Sequence, residues 1–265
     1  MDRETYKKAV DALSFSPDFQ ERTEAMLCRR RQESEKEMLK MKLLKRPVAI
    51  VAIAALLMIS ASAVVLRLSA SQVADRMGQH TLARAFEDNN AVAVNETVES
   101  GGYAITLMGL TSGANLDEWS SEVDTARTYA VVALDRLDGA PLEQQSFDFT
   151  GHTVTPLVSG YAPWVVNNWS LHSFATGTAV DGTFYFLLNT SDLSVFADRT
   201  VYLAFYEDGF APSAEKFTVA EDGSIAFAED YRGAHALFTL PLDPGLADPA
   251  AAEALVAPYL PPVSD

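Results

Sequence analysis

The chain has 265 residues, 48% of them hydrophobic and 21% charged, with one cysteine and a formal net charge of −16. That apolar content excludes a wholly disordered chain, and the acidic balance repels phosphate, so no nucleic-acid partner is expected. A single cysteine excludes an intramolecular disulfide and every multi-cysteine metal site; four scattered histidines (His80, His152, His172, His235) offer little for another, so no cofactor is expected.

The charge is uneven. Residues 1–46 carry twelve Lys/Arg and nine Asp/Glu, a net of +3, whereas residues 67–265 carry eight and twenty-seven, a net of −19. Residues 47–66 carry none. Two environments separated by an apolar barrier are implied.

Residues 1–46 read as a short helical cytoplasmic tail. Tyr6, Ala9, Val10 and Leu13 fall at i, i+3, i+4 and i+7, one face of a helix. Ser16, Pro17 and Asp18 restart the chain as a cap, a first helical residue and a favourable charge at the positive helix end. Phe15, Phe19, Met26 and Leu27 then supply apolar side chains before a wholly polar stretch, CRRRQESEKE. So few large apolar groups do not close a core, and Tyr6, Val10, Leu13, Phe15, Phe19, Met26 and Leu27 are the candidate contacts of a cytoplasmic partner, against a bland alternative of a marginal helical hairpin. Cys28 lies among arginines and reads as a spectator.

Residues 47–66, PVAIVAIAALLMISASAVVL, are uncharged and bounded by Arg46 and Arg67. Twenty helical residues reach about 30 Å, the thickness of a bilayer core, with every backbone amide satisfied internally. One transmembrane helix is predicted. Arg29, Arg30, Arg31, Lys36, Lys40, Lys42, Lys45 and Arg46 crowd its N-terminal flank, against Arg67, Arg76 and Arg84 beyond it. The positive-inside bias places the N-terminus in the cytoplasm and the acidic remainder outside, a single-pass cell-membrane protein with anionic lipid near residues 29–46. The Ala61-Ser62-Ala63 triplet resembles a cleavage site, but the long segment before the apolar run favours an uncleaved anchor.

Residues 67–90 predict a juxtamembrane helix or stalk. From about residue 91 the pattern turns to β, and residues 91–243 are expected to form an antiparallel β-sandwich. Strands are predicted from Val92, Val94 and Val98, over 103–108, 128–134, 184–188 and 201–206, with shorter ones over 146–149, 152–158, 217–219, 225–227 and 236–240. Asp-Gly pairs at 138–139, 181–182, 208–209 and 222–223 mark tight turns, since glycine supplies positive φ. Many short strands with such turns favour an antiparallel fold over a parallel α/β sheet. Residues 244–265 are expected to be a tail with a short helix over 250–259.

Catalytic chemistry finds little support. The acidic pairs Glu207-Asp208, Glu221-Asp222 and Glu229-Asp230 are adjacent in sequence, and neighbours on a strand point to opposite faces. No G-x-S-x-G, H-E-x-x-H, Walker or G-x-G-x-x-G motif is present, so no enzyme is expected. The least regular β segment holds Tyr161, Trp164, Asn167, Asn168 and Trp169, a candidate ligand-binding loop for a sugar or peptide, against the blander reading that its tryptophans pack the core.

The layout also resembles a known family. A tail of the type YKKAVDALSFSPDFQERTEAML, a basic stalk, one span and an external domain opening VNETVESGGYAITLMGL (residues 94–110), followed by TYAVVALDRLDG (residues 128–139), is similar to single-pass membrane proteins of Gram-positive bacteria. Their extracytoplasmic β domain has no known function, and their genes often lie beside extracytoplasmic-function sigma factors. The resemblance implies an anti-sigma-factor-like role, with the outer domain sensing an envelope condition and the tail docking a sigma factor. The chain lacks the H-x-x-x-C-x-x-C of zinc-type anti-sigma domains, so any such contact falls to the tail helices. The alternative is a surface binding or structural module whose tail only orients the anchor.

Overall fold

The structure is a computed structural model that describes residues 67–115, 124–144, 151–209 and 211–261. It is mainly β, with antiparallel pairing throughout the described sheets. The first sheet joins β1 (Val92–Ser100), β2 (Tyr103–Ser112), β3 (Arg127–Arg136), β6 (Thr183–Ser191) and β5 (Phe174–Val180) in the order β1-β2-β3-β6-β5. The second joins β10 (His235–Thr239), β7 (Val201–Tyr206) and β4 (Thr153–Val158), in that order, and β8 (Phe217–Val219) pairs with β9 (Ile225–Phe227) as a ribbon.

The two larger sheets share one core. Ile105, Leu107, Val132, Leu134, Phe184 and Phe186 of the first meet Val154, Val158, Leu203, Phe205 and Phe238 of the second. The opposite face of the first sheet, with Met108, Tyr129, Val131, Ala133, Tyr185 and Leu187, is covered by α1 (Ala70–Arg76) and α2 (His80–Ala85) through Val73, Ala74, Leu82 and Ala85. The opposite face of the second sheet buries Leu157, Ala204 and Tyr206 under Phe217 and Ile225 of the ribbon. Both faces of β3 are therefore dry, which explains why residues 128–134 read as one apolar run instead of alternating.

Residues 67–90 are thus two helices seated on the sheet, not one free stalk. Ser69 and Gln72 cap α1 reciprocally, Gln72 N donating to Ser69 Oγ at 3.2 Å and Ser69 N to Gln72 Oε1 at 2.9 Å. Gly78, at φ 78°, ends it. Burying the apolar faces of two short helices supplies what their length alone does not. At the other end of the chain, α3 (Pro249–Val256) is capped by Asp248 and sends Ala252 and Val256 into the main core.

Two details set the register. The β5–β6 turn is Asp181-Gly182, with φ of 52° and 88°, the two-residue hairpin that an Asp-Gly pair favours. Leu107 pairs with Val132 and Gly109 with Val131, so Met108 is an extra residue in β2. This bulge keeps Leu107 and Leu110 on the core side while Met108 faces the helices. A Cβ on Gly109 would come within 2.7 Å of the Val92 carbonyl oxygen, so close packing of β1 requires glycine there.

Among the described residues no helix is long and apolar enough to cross a membrane. The span at 47–66, the tail residues Tyr6, Val10, Leu13, Phe15, Phe19, Met26 and Leu27, and the strand expected over 146–149 lie outside the described residues.

Candidate functional site

Residues 159–173 connect β4 of one sheet to β5 of the other, and they form a fixed frame. Val166 and Leu171 are buried in the main core and pin the loop from beneath. Asn167 is 5% exposed and organises the rest. Its Nδ2 donates to the Pro163 carbonyl at 2.8 Å, and its Oδ1 accepts from Trp169 N at 3.0 Å. Its own N–H donates to Ser170 Oγ at 2.9 Å, and its carbonyl accepts from Leu171 N at 2.9 Å. One buried amide thereby ties the turn that carries Trp164 to the turn that carries Trp169. A buried amide with its hydrogen bonds made resists rearrangement, because breaking any one leaves a polar group dry and unpaired.

Neighbouring strands hold this frame in place. Asn168 N donates to Thr155 Oγ1 of β4 at 2.9 Å, Ser191 N of β6 donates to the Leu171 carbonyl at 3.0 Å, and Thr190 Oγ1 donates to the same carbonyl at 3.2 Å. Arg127, at the start of β3, donates to Asn189 Oδ1 and to the His172 carbonyl. His172 takes a positive φ of 46°, which turns the chain into β5.

On this frame Trp164 is 46% exposed and Trp169 is 69% exposed. The sequence-predicted residues therefore separate into two roles. Trp164 and Trp169 present rings to solvent, Asn167 is the buried brace, and Asn168 is half-buried. Tyr161 is partly buried against the core, with the Arg199 guanidinium 5.0 Å from its ring centroid. Two aromatic residues outside the predicted set are also exposed. Phe174, the first residue of β5, is 56% exposed, and Tyr259 is 42% exposed with its hydroxyl 3.2 Å from His172 Nε2.

A sequence signal for this surface exists in what is missing. Residues 149–180 contain no Asp, Glu, Lys or Arg, although residues 67–265 hold thirty-five of them. The loop lies in the longest uncharged run of an acidic domain.

Other concave regions are differently built. A cavity of about 560 Å³ beside Arg67 is lined by Gln72, Glu87, Thr97 and Thr106, among others. A second, of about 750 Å³, contains Asp192, Asp243 and Asp248. Each of these three carboxylates caps a backbone N–H, on Ser194, Gly245 and Ala250 respectively, so they serve local structure and do not converge. Among the described residues no three His, Cys, Asp or Glu side chains gather as a metal site. Of the acidic pairs, Glu207 is built into the fold: its Oε2 accepts from Ala234 N at 2.8 Å, and its Oε1 lies 3.3 Å from His152 Nε2.

Compared with protein-family models, curated proteins and solved structures, the chain has no match.

Proposed function

We propose that the chain is a single-pass membrane protein whose extracytoplasmic β-sandwich domain recognises an envelope component through the Trp164–Trp169 loop. The observation that carries this reading is the exposure of two tryptophans on a loop braced by the buried amide of Asn167. Large apolar rings held in water on a stiff frame gain little for the free fold and are preorganised for a ligand. The anchor is the uncharged run of residues 47–66, and its basic flank favours a cytoplasmic N-terminus. A catalytic role has no comparable support: Asp192, Asp243 and Asp248 cap backbone N–H groups, and Glu207 is built into the fold.

The signalling form of this reading adds a sigma factor docked on the tail, and it rests on a separate observation. Tyr6, Val10, Leu13, Phe15, Phe19, Met26 and Leu27 are too few to close a core of their own. Burying each is worth about 1.5–3 kcal/mol, so several together support micromolar binding after association costs.

One experiment tests both levels. A reporter active only outside the cytoplasm, fused after Asp265, is expected to work. Trp164→Ala/Trp169→Ala and Phe15→Ala/Phe19→Ala are each expected to change the transcriptional output of the bound sigma factor at unchanged protein level. Activity of a cytoplasm-only reporter overturns the topology. Unchanged transcription in the tail variant overturns the signalling form.

A further inference from the structure

We infer that the loop is a stacking platform for a neutral polysaccharide strand. This rests on the reading of the loop as the recognition surface and adds the chemical class of its ligand. The first argument is electrostatic. The domain after the span carries a net charge of −19, yet residues 149–180 contribute nothing to it. Anionic polymers and anionic lipid are repelled by the domain as a whole, and a cationic partner finds no counter-charge in the loop itself. A ligand without charge incurs neither penalty.

The second argument is shape. Trp164, Trp169 and Phe174 are about half exposed or more, and the two cavities described above are lined by other residues. Exposed rings outside a cavity do not enclose a small molecule, but each accepts the flat C–H face of a sugar ring, and a polysaccharide offers many. Hydroxyl and acetamido groups at the sugar edge need polar partners beside the rings. In the same loop the exposed His172 carries such a polar group, its Nε2 lying 3.2 Å from the Tyr259 hydroxyl.

The third argument separates a glycan from a membrane surface, the other common use of exposed tryptophan. Arg67, which follows the apolar run directly in sequence, is bound to Asp135 at 2.6 Å near the end of β3. Arg127, which holds the His172 carbonyl, begins the same strand eight residues earlier. At the rise of an antiparallel strand, the platform end and the tethered end are about 27 Å apart. The loop is held at the opposite end of β3 from Arg67.

The test uses the full chain in phosphatidylcholine nanodiscs. Binding is measured to cellohexaose and chitohexaose, to sacculi stripped of anionic polymers, to a proline-rich peptide, and to vesicles of phosphatidylglycerol and phosphatidylethanolamine. The expected result is saturable binding to at least one neutral glycan, weakened at least tenfold by Trp164→Ala and by Trp169→Ala. Trp169→Phe is expected to retain more affinity than Trp169→Ala, and circular dichroism to be unchanged in all three. If tryptophan-dependent binding goes only to the peptide or the vesicles, the glycan inference is overturned while the recognition role of the loop survives. If no probe binds in a tryptophan-dependent way, both are overturned.

Discussion

The two ends of the five-stranded sheet are held by different chemistry. At one end titratable groups do the work: Arg67 bridges Thr106 Oγ1 and Asp135, Arg136 pairs with Asp138 at 2.5 Å, and at the edge of the three-stranded sheet His152 faces Glu207. At the other end, around residues 159–173, neutral amides, hydroxyls and buried aliphatic groups take over, with Arg127 and Arg199 as cations at its border. The difference teaches where an acidic domain can keep a surface free of its own field. Charge is placed where the chain must be gripped, and withdrawn where rings are displayed.

Three perturbations break or sharpen that contrast. The largest effect is expected at the neutral end. Leu171 is fully buried beneath the loop, and Leu171→Ala should cost about 2–5 kcal/mol in urea denaturation, as core truncations do. The same variant should loosen the loop, seen as faster amide exchange at residues 166–173, while exchange around Arg67 stays as it was. Uniform loosening would show that the two ends are not independent.

At the charged end, Arg67 and Asp135 have side chains 29% and 16% exposed, between the surface and buried regimes. Arg67→Ala should therefore cost about 1–3 kcal/mol, most of it from leaving the Asp135 carboxylate without its cation. Adding Asp135→Ala should recover part of that loss in the same denaturation assay. A double variant less stable than the sum of both single losses would contradict the desolvation account.

The smallest effect is a pH dependence confined to the charged end. Burial pushes the Tyr231 hydroxyl up to about 12, helped by the nearby Asp208 and Glu207 carboxylates. Tyr206 moves in the same direction, again chiefly by burial. Both groups hold their protons more tightly when folded, so their contribution is complete below pH 10 and lost as pH climbs through 12. Thermal melts across that window should fall, and Tyr231→Phe should flatten the fall while lowering the melt at pH 7 modestly, because the hydroxyl also donates to the Glu207 carbonyl.

Much of this architecture was legible in the sequence because its strands are either two-sided or punctuated. Residues 201–206 and the short strands 217–219 and 225–227 coincide with β7, β8 and β9 as expected. The Asp-Gly pair at 181–182 turns where glycine chemistry requires it. β5 was not legible. After Phe174 its residues ATGTAV are small, uncharged and weakly alternating, and as an edge strand it is exposed at Phe174, Ala175 and Thr176. Gly177 within it sits where a Cβ would come within 2.4 Å of the Phe184 ring. Nor did helical periodicity reveal that residues 67–90 split at Gly78 and pack on the sheet. That depends on Met108 and Tyr185 being turned outward, which only the β2 bulge and the strand pairing disclose.

The candidate loop was legible as a cluster of residue types, but its division of labour was not. Nothing in the string YAPWVVNNWS distinguishes the brace from the display. Asn167 becomes the brace because Val166 beside it enters the core, and Trp169 becomes the display because its backbone, not its ring, is what the brace holds.

The placement of Arg67 and the aromatic loop at opposite ends of β3 has a mechanical consequence. A pull applied between them runs along the strand axis, so the ladders β3 makes with β2 and β6 are loaded in shear, many hydrogen bonds at once, and not peeled open one by one. A tensile load between Arg67 and the loop meets the stiffest direction the sheet offers, with the Arg67–Asp135 pair and the Asn167 brace as its two grips.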